Sequence, residues 1–248
     1  MINLTLFVKA FNKGQLQEVT ELLQTQFQDL DVSTHFFVNP DNKWVQVALE
    51  GEDETIATAF IRKEIGICPV SLENVDVDSI LRGFVAKVDE SSGKLYVDLG
   101  VFEPKISLAV VPLSSLCTQF LVPKESTIKS IAEAYGITEG LPIYVKVTAN
   151  DENLEVELAL EQVEKFKAWQ QSLLGRLIIL RSSKRIIETT LKRVHLHRDI
   201  IEVEQLGFFE FALTCKLGTD ARGLVPKVGR YMRNAVFVVF TPRKISGF

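Results

Sequence analysis

The sequence predicts a multidomain α+β chain in three parts. A small N-terminal βαββα domain covers residues 1–70, a five-stranded barrel 79–164, and a basic α+β domain 165–248. Three observations carry this reading. The hydrophobic pattern changes near residue 80 from mixed strand and helix periods to sustained alternation. Gly66-Ile67-Cys68-Pro69 punctuates the chain where the first part ends. Charge divides along the sequence: residues 165–248 hold 16 Lys or Arg against 6 Asp or Glu, a net of +10, while residues 1–164 hold 12 against 26, a net of −14. Such asymmetry means either that the basic part faces an anion or that the two parts neutralise each other internally. A polyanion would be steered to a basic surface over about a Debye length, ~8–10 Å.

In the first part, residues 2–11 alternate like a strand. Over 14–29, Leu16, Val19, Leu22, Leu23 and Phe27 recur at helical spacing. Residues 32–39 and 44–50 flank the turn signal Asn-Pro-Asp-Asn and read as a hairpin. Residues 53–65 come next as a helix with Ile56, Ala57, Phe60 and Ile61 inward. His35 stands alone within a strand, so a structural role is expected for it.

The second part reads as strand 80–88, the turn Asp-Glu-Ser-Ser-Gly, strand 94–99 closed by Gly100, and strand 108–111 before Pro112. A short helix at 127–135 precedes Gly136 and Gly140, and a hairpin of 141–149 with 154–160 closes the segment. This is the strand order of a five-stranded OB barrel. Gly83 and Gly100 fall where a tightly coiled barrel needs a strand to bend without a Cβ clash. Alternation sends Leu95, Val97 and Leu99 to one face and Lys94, Tyr96 and Asp98 to the other. An outward Tyr96 is either a base-stacking platform beside Lys87 and Lys146, worth ~1–3 kcal/mol per base, or a cover for barrel surface.

The runs Arg82-Gly83-Phe84-Val85-Ala86-Lys87-Val88-Asp89, Leu95-Tyr96-Val97-Asp98-Leu99-Gly100 and Val110-Val111-Pro112-Leu113-Ser114-Ser115-Leu116 resemble the S1-type RNA-binding domain. Gly140-Leu141-Pro142-Ile143-Tyr144-Val145-Lys146-Val147 resembles its fourth strand, so the resemblance spans about eighty residues. It implies an S1-type OB fold and binding to RNA. Two features depart from it: a Ser-Gly-Lys turn stands where the family carries an aromatic, and Ser114-Ser115 replaces its histidine. The barrel is also acidic. Scaffold is therefore its expected role, with the basic neighbour making the contacts.

In the third part, residues 160–172 read as a helix with Val163, Phe166 and Trp169 on one face, linking the barrel to the basic domain. An apolar run at 173–181 ends in Arg181-Ser182-Ser183-Lys184-Arg185. A helix over 186–197 carries Lys192, Arg193, His195, His197 and Arg198 near its end, and residues 200–204, 208–216, 223–225 and 235–240 read as strands. Leu213-Thr214-Cys215-Lys216-Leu217-Gly218 with Arg222-Gly223-Leu224-Val225-Pro226 echoes residues 95–100 with 110–112 and points to a second, abbreviated OB-like half. The loop 218–223 is either a backbone nest for a phosphate or a plain hairpin loop. Lys227, Arg230, Arg233, Arg243 and Lys244, interleaved with Tyr231 and Phe237, suit a phosphate-tracking groove, although a solvated basic face would look the same. The nucleic-acid contacts expected are Arg181, Lys184, Arg185, Lys192, Arg193, Arg222, Lys227, Arg230, Tyr231 and Arg233, with Lys87, Tyr96 and Lys146 on the barrel.

Several functions find no support. No apolar run reaches membrane-spanning length, and the strand-like start lacks a signal peptide's basic region. Cys68, Cys117 and Cys215 form no CxxC, which fits a reducing cytoplasm. His195-x-His197 lacks a third ligand, and no catalytic triad, paired carboxylates, Walker loop or dinucleotide fingerprint is present. Neither a metal, nor a cofactor, nor enzymatic activity is expected. Over its whole length the chain also resembles an archaeal family, domain-of-unknown-function family 2110, through Arg198-Asp199-Ile200-Ile201-Glu202-Val203-Glu204 and residues 215–230. That resemblance implies an archaeal origin and an association with information processing. The expectation is an accessory protein of transcription or translation that binds RNA or another single strand through its basic surface. The alternative is an interaction module that docks its acidic part on a ribosomal or polymerase subunit.

Overall fold

A computed structural model describes residues 1–150 and 154–242, in two compact units: Met1–Asn74 with Gly100–Lys105, and the remainder. The first unit opens with β1 (Ile2–Lys9), α1 (Lys13–Gln26), β2 (Ser33–Val38), β3 (Trp44–Glu50) and α2 (Glu54–Glu64), the predicted βαββα order. Asn12 starts α1 by accepting from the Gln15 N–H, while the Gln15 side chain accepts from the Phe11 N–H at 2.8 Å. Val19 and Leu23 of α1 and Ala57 and Ile61 of α2 are buried, as are Trp44, Val45, Val47 and Leu49 of β3. The sheet is antiparallel in the order β2-β3-β1, and beyond β1 an isolated bridge joins Leu6 to Ile67. That bridge is the remnant of a fourth strand, so the domain has split-βαβ topology.

Two residues form β4 (Val70–Ser71), which pairs in parallel with Val101 and Glu103. Nearby, Gly100 has φ 76°, and a Cβ there would lie 2.5 Å from the Cys68 Cβ. Only glycine fits this position.

In the second unit the central strands are β5 (Ile80–Asp89), β6 (Lys94–Glu103), β7 (Ser107–Pro112), β8 (Pro142–Asn150) and β9 (Leu154–Leu158). Between β7 and β8 lie α3 (Leu113–Phe120) and α4 (Ile128–Tyr135). Pairings β5–β6, β6–β7, β7–β9, β9–β8 and β8–β5 close a ring, with β7–β9 parallel and β8 antiparallel to both β5 and β9. A closed five-stranded barrel in this order is OB-like. Leu95, Val97, Leu99, Ile143, Val145 and Val147 fill it, and a Cβ on Gly83 would lie 2.5 Å from a Val97 methyl. The helix α3 was not anticipated. Its Leu116, Cys117 and Phe120 make one buried face, and Phe120 stacks on Tyr135 of α4 at 3.9 Å.

The C-terminal segment runs α5 (Leu160–Gln171), β10 (Arg176–Leu180), α6 (Lys184–Arg193), β11 (Ile200–Gln205), β12 (Phe211–Cys215), α7 (Ala221–Gly229) and β13 (Val236–Phe240). Its sheet has the order β11-β12-β10-β13 with every described pairing antiparallel. From β10 onward this is a complete split βαβ unit, with the same strand order as the N-terminal domain. It corrects the expectation of a second OB-like half. Residues 223–225 are not a strand but lie inside α7, and the echo of residues 95–112 places a helix where the barrel has β7. The physical reason is burial: Ala221, Leu224 and Val228 recur at helical spacing against the sheet, which outweighs the Gly and Pro punctuation within α7.

The two faces of this sheet differ. Leu177, Ile179, Phe211, Leu213 and Cys215 pack beneath Ile187 and Leu191 of α6 and Leu224 and Val228 of α7. The opposite residues, Ile178, Leu180, Ala212, Thr214 and Phe240, are also buried. Against this face the Trp169 ring of α5 lies 6.0 Å from Phe240 and 5.1 Å from the Arg176 guanidinium, and Gly136 and Gly140 of the central segment approach Phe240 and Leu180. The Trp169 Nε1–H donates to Glu204 at 3.2 Å, and Lys165 pairs with Glu204 at 2.6 Å. Arg176 Nη1 donates to Ser172 and to the Trp169 and Leu174 carbonyls. On the barrel side, Arg82 Nη2 donates to the Leu206 carbonyl at 2.7 Å. The Trp169→Ala variant should lose about 3–5 kcal/mol of stability in urea denaturation, because the ring fills the seam between helix and sheet. A loss under ~1 kcal/mol would mean that the sheet face is held without it.

Candidate functional site

The buried side of α6 is Ile187, Thr190 and Leu191, which turns Arg185, Thr189 and Lys192 outward and leaves Ile186 and Arg193 on one flank. Lys184 and Lys192 each stand four residues from Glu188 on the other flank, where opposite charges offset one another. Against the arginine flank lies Tyr231, in the turn after α7. That turn is held by the Tyr231 N–H bond to Val228 O at 3.0 Å and by the burial of Met232. The Arg193 guanidinium sits 4.6 Å from the centroid of the Tyr231 ring and that of Arg230 at 6.0 Å. These distances lie within cation–π range.

Arg185, Ile186, Thr189, Thr190, Arg193 and Tyr231 line a groove of about 400 Å3. Among the described residues its lining holds no carboxylate. Arg185 and Arg193 lie eight residues apart on a rigid helix, so their Cα atoms are separated by about 12 Å along the axis. The groove therefore offers guanidinium donors at two ends and the exposed Thr189 hydroxyl between them, the chemistry of an oxyanion or phosphate clamp.

A second cavity, of about 460 Å3, lies between α4 and β13. Glu90, Glu133 and Glu139 line it along with Lys129 and Arg222, and Lys129 already pairs with Glu90 at 3.1 Å. The hydrogen bond and charge of Glu90 raise the Lys129 pKa. An anion finds less there than in the groove of α6.

The expected contact residues do not all converge. Arg185, Arg193, Arg230 and Tyr231 come together, whereas Arg222 lies in the mixed-charge cavity. Lys184 and Lys192 occupy the Glu188 flank of α6, and Lys227 and Arg233 are exposed on and after α7. Arg181 is exposed between β10 and α6 with φ 63°. Arg243 and Lys244 lie outside the described residues. On the barrel, Lys87 is the register partner of a half-buried Tyr96, and its ammonium lies 3.4 Å from Asp89. Lys146 is opposite Ile80, seven residues from Lys87 along β5 or roughly 23 Å, and pairs with Asp78 at 2.8 Å. Tyr96 thus has one lysine beside it, not two. In the loop 218–223, the Asp220 carboxylate accepts from the Arg222 N–H at 2.9 Å as the cap of α7. An acidic cap occupies the position where a phosphate nest was considered.

Sequence reasoning missed Ile186 and Thr189, although Thr189 lies midway between Arg185 and Arg193 at i, i+4 spacing. It also passed over Tyr144, exposed on β8 with the Arg82 guanidinium 5.7 Å from its ring. Burial lowers the Arg82 pKa, while the charges of Tyr144 and Glu210 act against that shift.

The β5–β6 turn is acidic in a durable way. Hydrogen bonds from Ser91 and Ser92 bring the Asp89 pKa down to about 2. The folded value lies below the ordinary one, so the contribution of this carboxylate to stability is present above the usual carboxylate range and is lost as pH falls towards 2. In an NMR titration Asp89 should protonate near pH 2 and return towards the ordinary range when Ser91 and Ser92 are both changed to Ala. Titration near pH 4 in the unaltered chain would show that the two hydroxyls do not hold it.

Models of three consecutive domains match the chain: the DUF2110 N-terminal domain over residues 1–69, the DUF2110 central domain over 75–170 and the DUF2110 C-terminal domain over 174–240. No curated protein matches it.

Proposed function

Since the chain belongs to the DUF2110 family, whose domains carry no assigned activity, we propose that it binds nucleic acid, RNA foremost, through the α6–Tyr231 groove, with the OB-like barrel as scaffold. The observation that carries this reading is the groove itself: Arg185 and Arg193 in its lining, Arg230 over the Tyr231 ring, and no carboxylate among the described residues of the wall. The +10 balance of residues 165–248 extends the same field beyond the groove. RNA is preferred over DNA on the resemblance of residues 82–147 to an S1-type domain. The barrel's lysines contribute less to such a field, because Lys87, Lys129 and Lys146 each face a carboxylate at 3.4 Å or closer. A role as an accessory protein of transcription or translation accords with this chemistry, with no catalytic step assigned.

The test is a fluorescence-anisotropy titration with RNA at several salt concentrations. Affinity should fall steeply as salt rises. Arg193→Ala with Arg230→Ala should weaken binding roughly tenfold or more for every sequence, and should lower the salt slope by about one for each phosphate no longer neutralised. Lys87→Ala and Tyr96→Ala should leave affinity within about twofold. No binding at ~50 mM salt, or weakening confined to the barrel variants, would overturn the reading.

A further inference from the structure

We infer that the groove takes a base-paired nucleic-acid helix by its phosphate backbone, rather than a single strand by its bases. This inference rests on the nucleic-acid reading above. Proteins that hold single strands combine a basic track with exposed aromatic faces on which bases stack. RNA-recognition modules built on the same split-βαβ order stack bases on the open face of the sheet. Here that face is closed: Ile178, Leu180, Ala212, Thr214 and Phe240 are buried, and Trp169 of α5 lies on Phe240. Among the described residues the groove contains one aromatic ring, Tyr231, and two guanidiniums already lie over it. A base stacking where a guanidinium lies would have to displace an arginine. The ring acts instead as a post that positions Arg193 and Arg230.

The polar chemistry points the same way. Arginine only donates, and among the described residues the groove's remaining exposed polar groups are the Thr189 and Tyr231 hydroxyls, so acceptors for reading base edges are few. Phosphate oxygens, which only accept, are the matching partner. Arginines whose Cα atoms are held about 12 Å apart along a rigid helix suit a ligand whose phosphates are themselves held in a fixed array. A duplex provides that array, at one charge per ~1.7 Å of axis, and it arrives with its bases already paired. A flexible single strand would have to be ordered on the protein without any gain from stacking.

The experiment compares a 20-base-pair RNA duplex, a DNA duplex of the same sequence and an unstructured 20-nucleotide RNA, all by anisotropy over a salt series. The RNA duplex should bind about tenfold more tightly than the single strand, with little dependence on sequence and a steeper salt slope. If the DNA duplex is the tighter of the two, the backbone mode stands and the natural ligand is DNA. Tyr231→Leu separates the roles of the ring. If it positions the arginines, the variant lowers the salt slope for duplex; if it stacks bases, the variant weakens single-strand binding at unchanged slope. A single strand bound as tightly as duplex, or the second Tyr231→Leu outcome, would overturn the inference while leaving nucleic-acid binding intact. Absence of binding to all three ligands would overturn both.

Discussion

Trp169 is the contact on which the C-terminal half of the molecule depends. Its ring meets Phe166 edge-on at 6.0 Å, lies beside Phe240 and carries the Arg176 guanidinium over it, while its N–H reaches Glu204. A four-stranded sheet with two helices on one face has a second apolar face that water would otherwise meet. With α5 and the central segment's Gly136 and Gly140 against that face, the helical layer is left as the side of this domain on which a ligand can be met. The location of the groove is thus a consequence of packing before it is one of charge.

Charge then separates one surface from another. Exposed ion pairs such as Lys87–Asp89, Lys129–Glu90 and Lys146–Asp78 add little to stability, but each cancels a positive charge locally. On α6 the sequence sorts its charges by flank, with Glu188 between two lysines and arginines on the side facing Tyr231. The summed +10 of the segment therefore overstates some of its surface and understates the groove, where uncancelled arginines stand together.

How much was legible in the sequence varied with burial. The N-terminal elements could be read because one face of each is wet: β2 alternates between exposed and half-buried positions, and α1 keeps its polar side. The barrel could be read from its alternation and from Gly83 and Gly100, whose neighbours exclude a Cβ. In the C-terminal domain, β10 and β12 are buried at every position, so the period of two that marks a strand disappears. Within α7, Gly223 and Pro226 imitate a loop. The individual arginines were evident; their convergence was not, because Tyr231 and Arg193 meet only through the packing of α6 and α7 on a shared sheet.

The helix that covers the sheet has a further consequence for what counts as a domain. By sequence kinship α5 belongs to the central segment, since the matched region ends at 170 and the next begins at 174. By packing it also reaches the sheet beyond through Trp169 and Lys165, and Val75–Leu99 with Ile106–Phe248 form one compact unit. The unit of inheritance and the unit of packing are therefore different pieces of this chain. A fragment beginning at residue 174 would carry every residue of the groove yet present a greasy, uncovered sheet to water. Because the barrel and the basic domain share one compact unit, the loss of α5 would unsettle the packing of both.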